Sequence, residues 1–466
     1  MGRQAESGLT RLLLGGAAML LCPTPARALQ PPDCVYDVTI EGASASALDV
    51  EVACQASTGV HDFTLLDDSA MAWMKTEHRP PHGIFYRLDL DGFAGAEGSY
   101  DSALRVGRSV MLSPESWILK PNSAGNLTLG FRFHARDGAN IATTMTEENG
   151  FYTLASSEIA YDVPIALGKF SRRDVAVPEG RIDLVVLDRP MAAGLDSLAI
   201  WVADTAHAVS EYWGRFPAHQ AMLLVIPING SAIRYGRVES DHTIGVMAQI
   251  GADEKPRALY DEWVLVHEFT HIGSPFIRDT GAWLNEGIAT YVEPIVRYRA
   301  GWRSKDSVWQ EWLKNMPRGL QAMGPAGLRD TSRGGVYWGG GLFMLMSDIA
   351  IHQATNNKTG LQDCLVSVLN RGADIRAIWH TDAMLQACDA AVGGSVTRDL
   401  AARHLGPGNS VDLDALWKEL GVSMDGAGNI HYDDSAPLAS VRESILSGEP
   451  SHPARPVPVG LAEGGN

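Results

Sequence analysis

Cysteine is scarce in this chain of 466 residues: there are five, and none has a Cys-x-x-Cys spacing, which argues against a cysteine zinc site. Positive charge is also in short supply. Lys and Arg number 38 against 55 Asp and Glu, a net charge of −17, and that balance argues against nucleic acid or an anionic membrane surface as a partner. Long apolar runs are missing too. The longest, residues 12–21, is too short to span a bilayer comfortably, so the mature protein is expected to be soluble with no membrane span. No internal repeat is found. What the chain does have is a 45% hydrophobic composition, ample for a large core and for two or three domains.

The N-terminus reads as an export signal. Arg3 and Arg11 supply positive charge, residues 12–21 the apolar segment, and Ala26-Arg27-Ala28 a cleavage site. Cys22 follows Leu21 rather than a small residue, which disfavours a lipoprotein anchor. The expected mature product starts near Leu29 and is periplasmic or secreted. Four cysteines then remain, and four allow three connectivities. Proximity in sequence favours Cys34–Cys54 and Cys364–Cys388 in an oxidising compartment, with unpaired buried thiols as the other reading.

Residues 29–175 show short β-prone runs (35–40, 84–90, 116–120, 127–134 and 151–154) separated by turn residues. They predict an antiparallel, sandwich-like β-domain with loops at 91–98 and 136–140. Its scattered histidines, His61, His78, His82 and His134, have no metal-ligand spacing. A different pattern begins near Arg181: apolar strands at 182–187, 222–227 and 243–250, and a helix with 3.6-residue periodicity over 196–213. Beyond Gly301 the periodicity is helical, at 308–320, 339–352, 361–369, 383–391, 413–420 and 438–446. The last stretch, 447–466, is rich in Pro and Gly and is expected to be disordered.

The chemistry concentrates in one stretch. His267-Glu268-Phe269-Thr270-His271 is an H-E-x-x-H sequence, and on a helix its two imidazoles share a face. Trp263, Leu265, Val266, Phe269 and Ile272 give that helix its apolar faces, and Gly273-Ser274-Pro275 ends it. A second helical run brings back Glu286. Two imidazoles and a carboxylate leave a fourth position open, the arrangement of a catalytic rather than a structural zinc site. One Zn²⁺ per chain is therefore expected on His267, His271 and Glu286, although cobalt or manganese could use the same ligands. Glu268 is placed to take a proton from water as general base. Asn285, Thr290, Glu293 and His242 are weaker candidates for supporting roles or for lining the cleft.

His267-Glu268-x-x-His271 followed by Trp283-Leu284-Asn285-Glu286-Gly287-Ile288-Ala289-Thr290-Tyr291 resembles the gluzincin metallopeptidases, and the second helix is very similar to that of the aminopeptidase N family. The order of elements over about 182–446 resembles the glycyl aminopeptidase family. Further matches are Tyr212-Trp213-Gly214-Arg215-Phe216-Pro217, Val336-Tyr337-Trp338-Gly339-Gly340-Gly341-Leu342 and the stretch 355–363. The resemblance implies an α+β protein: an N-terminal antiparallel β-domain (29–175), a thermolysin-like zinc metallopeptidase domain (176–302) and a C-terminal all-helical lobe (303–446). It also implies that Tyr337 stabilises the oxyanion, and that Glu239, in Gly236-Arg237-Val238-Glu239, binds a substrate α-amino group. The sequence departs from the families in three ways. Only 14 residues separate His271 from Glu286, Gly339 stands where a Lys is often found, and no C-terminal PDZ domain is expected. The expectation is an exported zinc metallopeptidase acting on peptide or protein substrates, most simply an aminopeptidase on short peptides. An endopeptidase of the same fold and a non-catalytic zinc-containing peptide-binding protein are the alternatives.

Overall fold

The computed structural model describes residues 31–160, 164–240, 243–278, 282–323, 327–328, 335–406 and 411–447. The segment expected to be an export signal, His242 and the tail from 448 lie outside the described residues. The N-terminal part is a sandwich of a seven-stranded and a four-stranded sheet. Cys34–Glu41 and Ala47–Cys54 pair antiparallel, and the Cys34–Cys54 disulfide joins their open ends. One expectation needs correcting, because the domain is not wholly antiparallel. Thr128–Ala135 lies parallel to Cys34–Glu41, having returned after a long excursion of the kind parallel pairing requires.

Two further corrections concern local structure. The expected loop at 91–98 is the helix Leu90–Glu97, capped by the Asp89 side chain accepting from the Gly92 N–H and closed by left-handed Gly98. The expected strand at 116–120 is a 3₁₀ turn, Pro114–Ser116, followed by an irregular buried run. There the Trp117 and Leu119 carbonyls accept the hydroxyls of Tyr86 (2.9 Å) and Tyr36 (2.6 Å) in place of ladder partners.

The four-stranded sheet is buried on both faces. From Ser109–Leu112, Val110 and Leu112 enter the sandwich core, while Met111 turns the other way onto a second, five-stranded sheet. That sheet runs Phe170–Val177, Gly180–Leu187, Gln220–Ile228, Ile244–Gly251 and Ile233–Ser240 in spatial order. Its three central strands are parallel and its two outer strands antiparallel. The first hairpin spans residue 175, so the expected boundary between 175 and 176 falls inside a strand. Leu184 and Val186, with Leu223 and Val225, face the helices; Val185 and Leu187, with Met222 and Leu224, face the β-sandwich. Burial on both sides explains why these strands read as unbroken apolar runs.

Helix Gly194–Trp213 crosses between two parallel strands, and one apolar core continues from it through the metal-site helices into the C-terminal helices. Those helices are Lys305–Met323, Gly340–Thr355, Leu361–Asn370, Thr381–Val392, Val396–His404, Leu413–Leu420 and Ala439–Leu446. Cys364–Cys388 ties the third to the fourth. Val396–His404, polar in sequence, was not expected. Among the described residues no helix is long and apolar enough to cross a membrane.

Candidate metal centre

Helix Val264–Ile272 is buried along its whole length beneath the sheet. It ends at Gly273, a position where only glycine fits because the Trp213 indole fills the space a side chain would need. The chain then forms the two-residue strand Phe276–Ile277, parallel to Ile378–Trp379, before helix Ala282–Arg299 begins. Asn285 clamps this short connection: its amide accepts from the Ile277 N–H (3.1 Å) and donates to the Ile277 carbonyl (3.2 Å). The backbone at residues 276–278 is thus pinned, and it forms one wall of the cleft.

The geometry brings the three expected ligands together. His267 Nε2 lies 3.1 Å and His271 Nε2 3.5 Å from the same oxygen of Glu286, and one ligand atom from each residue fits within 4.8 Å of the others. Two imidazoles and a carboxylate converging on one point are a donor set that suits zinc, so the residues present fit the expected ion. Burial pushes the Glu286 carboxyl up, but its hydrogen bonds to both histidines outweigh this and leave it well below the usual carboxylate range. Burial lowers His267 to about 4, against the opposing pull of Glu286. At His271 burial also acts downward, yet the Glu286 hydrogen bond and charge win and raise it. Both effects favour an ionised carboxylate facing the imidazoles.

Glu268 sits beside the triad and is almost wholly buried. Burial pushes its carboxyl up to about 7, Glu286 adds to the rise, and His271, the Val238 N–H and Arg237 hold it down. Such a value suits a group that accepts and returns a proton near neutrality. Strand Ile233–Ser240, at the edge of the five-stranded sheet, passes directly over it. At Gly236 a Cβ would stand 2.6 Å from Glu268 Cγ and 2.7 Å from its Oε1, so only glycine permits this approach.

Tyr337 reaches the same cleft. It lies on a π-helical turn, Gly335–Gly339, a form that often occurs at functional sites. Its ring centre is 6.1 Å from that of His267, and it is 40% exposed. The turn leads into helix Gly340–Thr355, which crosses helix Ala282–Arg299 backbone to backbone at Gly340 and Gly287.

Glu239 is not brought to the triad. The cleft lining from its strand runs from Arg234 to Val238, one residue short, and Arg237 Nε holds the Glu239 carboxylate at 2.8 Å. Arg237 and Glu239 are two apart on one strand and so share a face, a local pairing that the Gly-x-x-Glu pattern does not take into account. Glu293, considered as support for the ligands, instead pairs with Arg297 (2.8 Å), whose other nitrogen donates to the Asp261 carbonyl (2.7 Å). That clamp fastens the second helix to the segment leading into the first. Thr290 packs against Gly341 at the helix crossing. Trp263, expected on an apolar helix face, is 45% exposed and meets the His267 ring edge-on at 5.1 Å. Its position four residues before His267 places it on the ligand face, a signal present in the sequence. The cleft has a volume of about 570 Å³. A larger cavity of about 900 Å³ lies between Leu313, Trp417 and Tyr432 and contains none of these residues.

No protein-family model and no curated protein matches the chain. Among solved structures it is similar to an aminopeptidase N family protein from Idiomarina loihiensis, with a TM-score of 0.64 at 13% identity over 84% of this chain and 79% of that one. It is also matched by the M1 zinc metallopeptidase from Deinococcus radiodurans, with a TM-score of 0.47 at 14% identity over 81% of this chain and 93% of that one. The first likeness shows the fold: the chain has the α+β fold of that aminopeptidase N family protein.

Proposed function

We propose that this chain is a zinc-dependent peptidase, and that it acts as an aminopeptidase on short peptides after export. One observation carries the proposal: His267, His271 and Glu286 converge on one point beside a buried Glu268, at the base of an open cleft. Zinc bound there supplies Lewis-acid polarisation of the scissile carbonyl and acidifies a water. Glu268, buried beside the three ligands, takes the proton from the attacking water and delivers it to the leaving amine. The Tyr337 hydroxyl donates to the oxygen that gains negative charge. For Glu239 to bind an α-amino group, its carboxylate must exchange Arg237 for the ammonium. Two disulfides are compatible with an exported protein.

The test is hydrolysis of matched free and N-acetylated short peptides by zinc-loaded wild type and Glu268→Gln. Cleavage of free peptides alone, lost in the variant, is the expected outcome. Equal cleavage of blocked peptides would make the chain an endopeptidase. Zinc binding without cleavage of either set would favour a peptide-binding role.

A further inference from the structure

In a chain of net charge −17, the cleft is lined by three arginines. Arg234, Arg237 and Arg278 line it, and among the described residues its only lining carboxylates are Glu268 and Glu286, both belonging to the metal centre. Arg237 is neutralised locally, by Asp101 at 3.0 Å and Glu239 at 2.8 Å. Arg234 and Arg278 form no ion pair with any described carboxylate, and both are exposed. Each is held by an irregular piece of backbone. Arg234 is the extra residue of a β-bulge: Ile233 pairs with Ile250 and Tyr235 with Gln249, leaving Arg234 without a partner in the ladder. Bulges re-aim a side chain in this way, often beside active sites. Arg278 follows the residue clamped by Asn285, and its own N–H donates to the Trp379 carbonyl (3.1 Å). Two free guanidinium groups therefore sit on fixed backbone, one on each wall of a cleft that also accommodates a cation.

A volume of about 570 Å³ corresponds to a sphere about 10 Å across, roughly the length of three extended residues. A peptide held there has its ends and side chains within the reach of long arginine side chains. A guanidinium group without a carboxylate partner forms charge-assisted, often bidentate hydrogen bonds to the carboxylate of a ligand.

We propose that Arg234 and Arg278 select peptides bearing a carboxylate within a residue or two of the scissile bond, supplied either by an acidic side chain or by a free C-terminus. This deepens the peptidase reading and rests on it. The experiment compares Ala-Ala-Ala with its C-terminal amide, and Ala-Glu-Ala-amide with Ala-Gln-Ala-amide, using zinc-loaded protein. The wild type should favour a carboxylate-bearing peptide over its neutral counterpart by about tenfold in kcat/KM, mainly through KM. The first pair reports a terminal carboxylate and the second a side-chain carboxylate. The preference should collapse towards unity in Arg234→Gln/Arg278→Gln, persist in Arg234→Lys/Arg278→Lys, and weaken with added salt. Equal rates within both pairs, or a preference that survives the double Gln variant, would overturn the proposal. If the wild type cleaves none of them, the same four peptides are titrated calorimetrically into zinc-loaded Glu268→Gln. Carboxylate-dependent binding would then uphold this inference while the hydrolytic reading fails, and indifferent or absent binding would remove it.

Discussion

At the scale of single residues, the site divides into groups that hold, groups that move protons and groups that select. In the proposed mechanism His267, His271 and Glu286 hold the metal, and Glu268 and Tyr337 act on the substrate. Tyr337→Phe removes one donor aimed at developing charge and leaves the ligands untouched. It should lower kcat by about 100-fold or more at unchanged zinc content, measured by steady-state kinetics alongside metal analysis. The ligand set was legible because i, i+4 spacing on a helix is a local geometric fact, and Glu286 followed from a second helix too close in sequence to land elsewhere. Glu239 takes up its proposed role only by exchanging Arg237, two residues before it on the same strand, for an ammonium group. The selectivity assigned to Arg234 depends on a bulge, which a pattern of alternating residues cannot reveal.

At the scale of elements, close backbone approaches decide what the side chains can do. Gly236 lets the edge strand rest on Glu268, so Gly236→Ala should displace that carboxylate while leaving the two histidines in place. A displacement of about 1 Å is worth roughly 100-fold in rate, so peptidase activity should fall by about that factor while zinc still binds. In the β-sandwich, Asp67 joins separate turns. Its carboxylate accepts from the Ser69 N–H (3.0 Å) and from the hydroxyls of Ser69 (2.8 Å), Ser102 (2.8 Å) and Ser116 (2.6 Å). Burial raises its pKa, but these bonds outweigh the rise and leave it below the ordinary value. A depressed carboxyl stabilises the fold above its unfolded pKa of ~3.9 and loses that contribution as pH falls through the folded value. Asp67→Ala should thus cost about 2 kcal/mol at pH 7 by denaturant unfolding, with the difference from wild type shrinking in acid. Apolar, fully buried strands were legible in the sequence. Helix Leu90–Glu97 was not, since its two glycines and two acidic residues mimic a loop and only the Asp89 and Gly98 caps reveal it.

At the scale of the whole molecule, the β-sandwich supports the catalytic sheet from one side and the helices close it from the other, so the cleft opens where the edge strand meets the helix connection. The two disulfides close loops of 20 and 24 residues, far from the triad in sequence. Each should contribute about 3 kcal/mol by restricting the unfolded chain. Reduction should lower the melting temperature in a thermal scan without abolishing zinc binding in the folded state. The measurement closest to the central claim is a zinc titration of chelator-stripped protein, followed by hydrolysis of short peptides. The account predicts no activity in the stripped chain, a linear return that saturates at one zinc per chain, and no return in His271→Ala. Activity that survives stripping, or zinc uptake with no hydrolysis of any peptide, would contradict it.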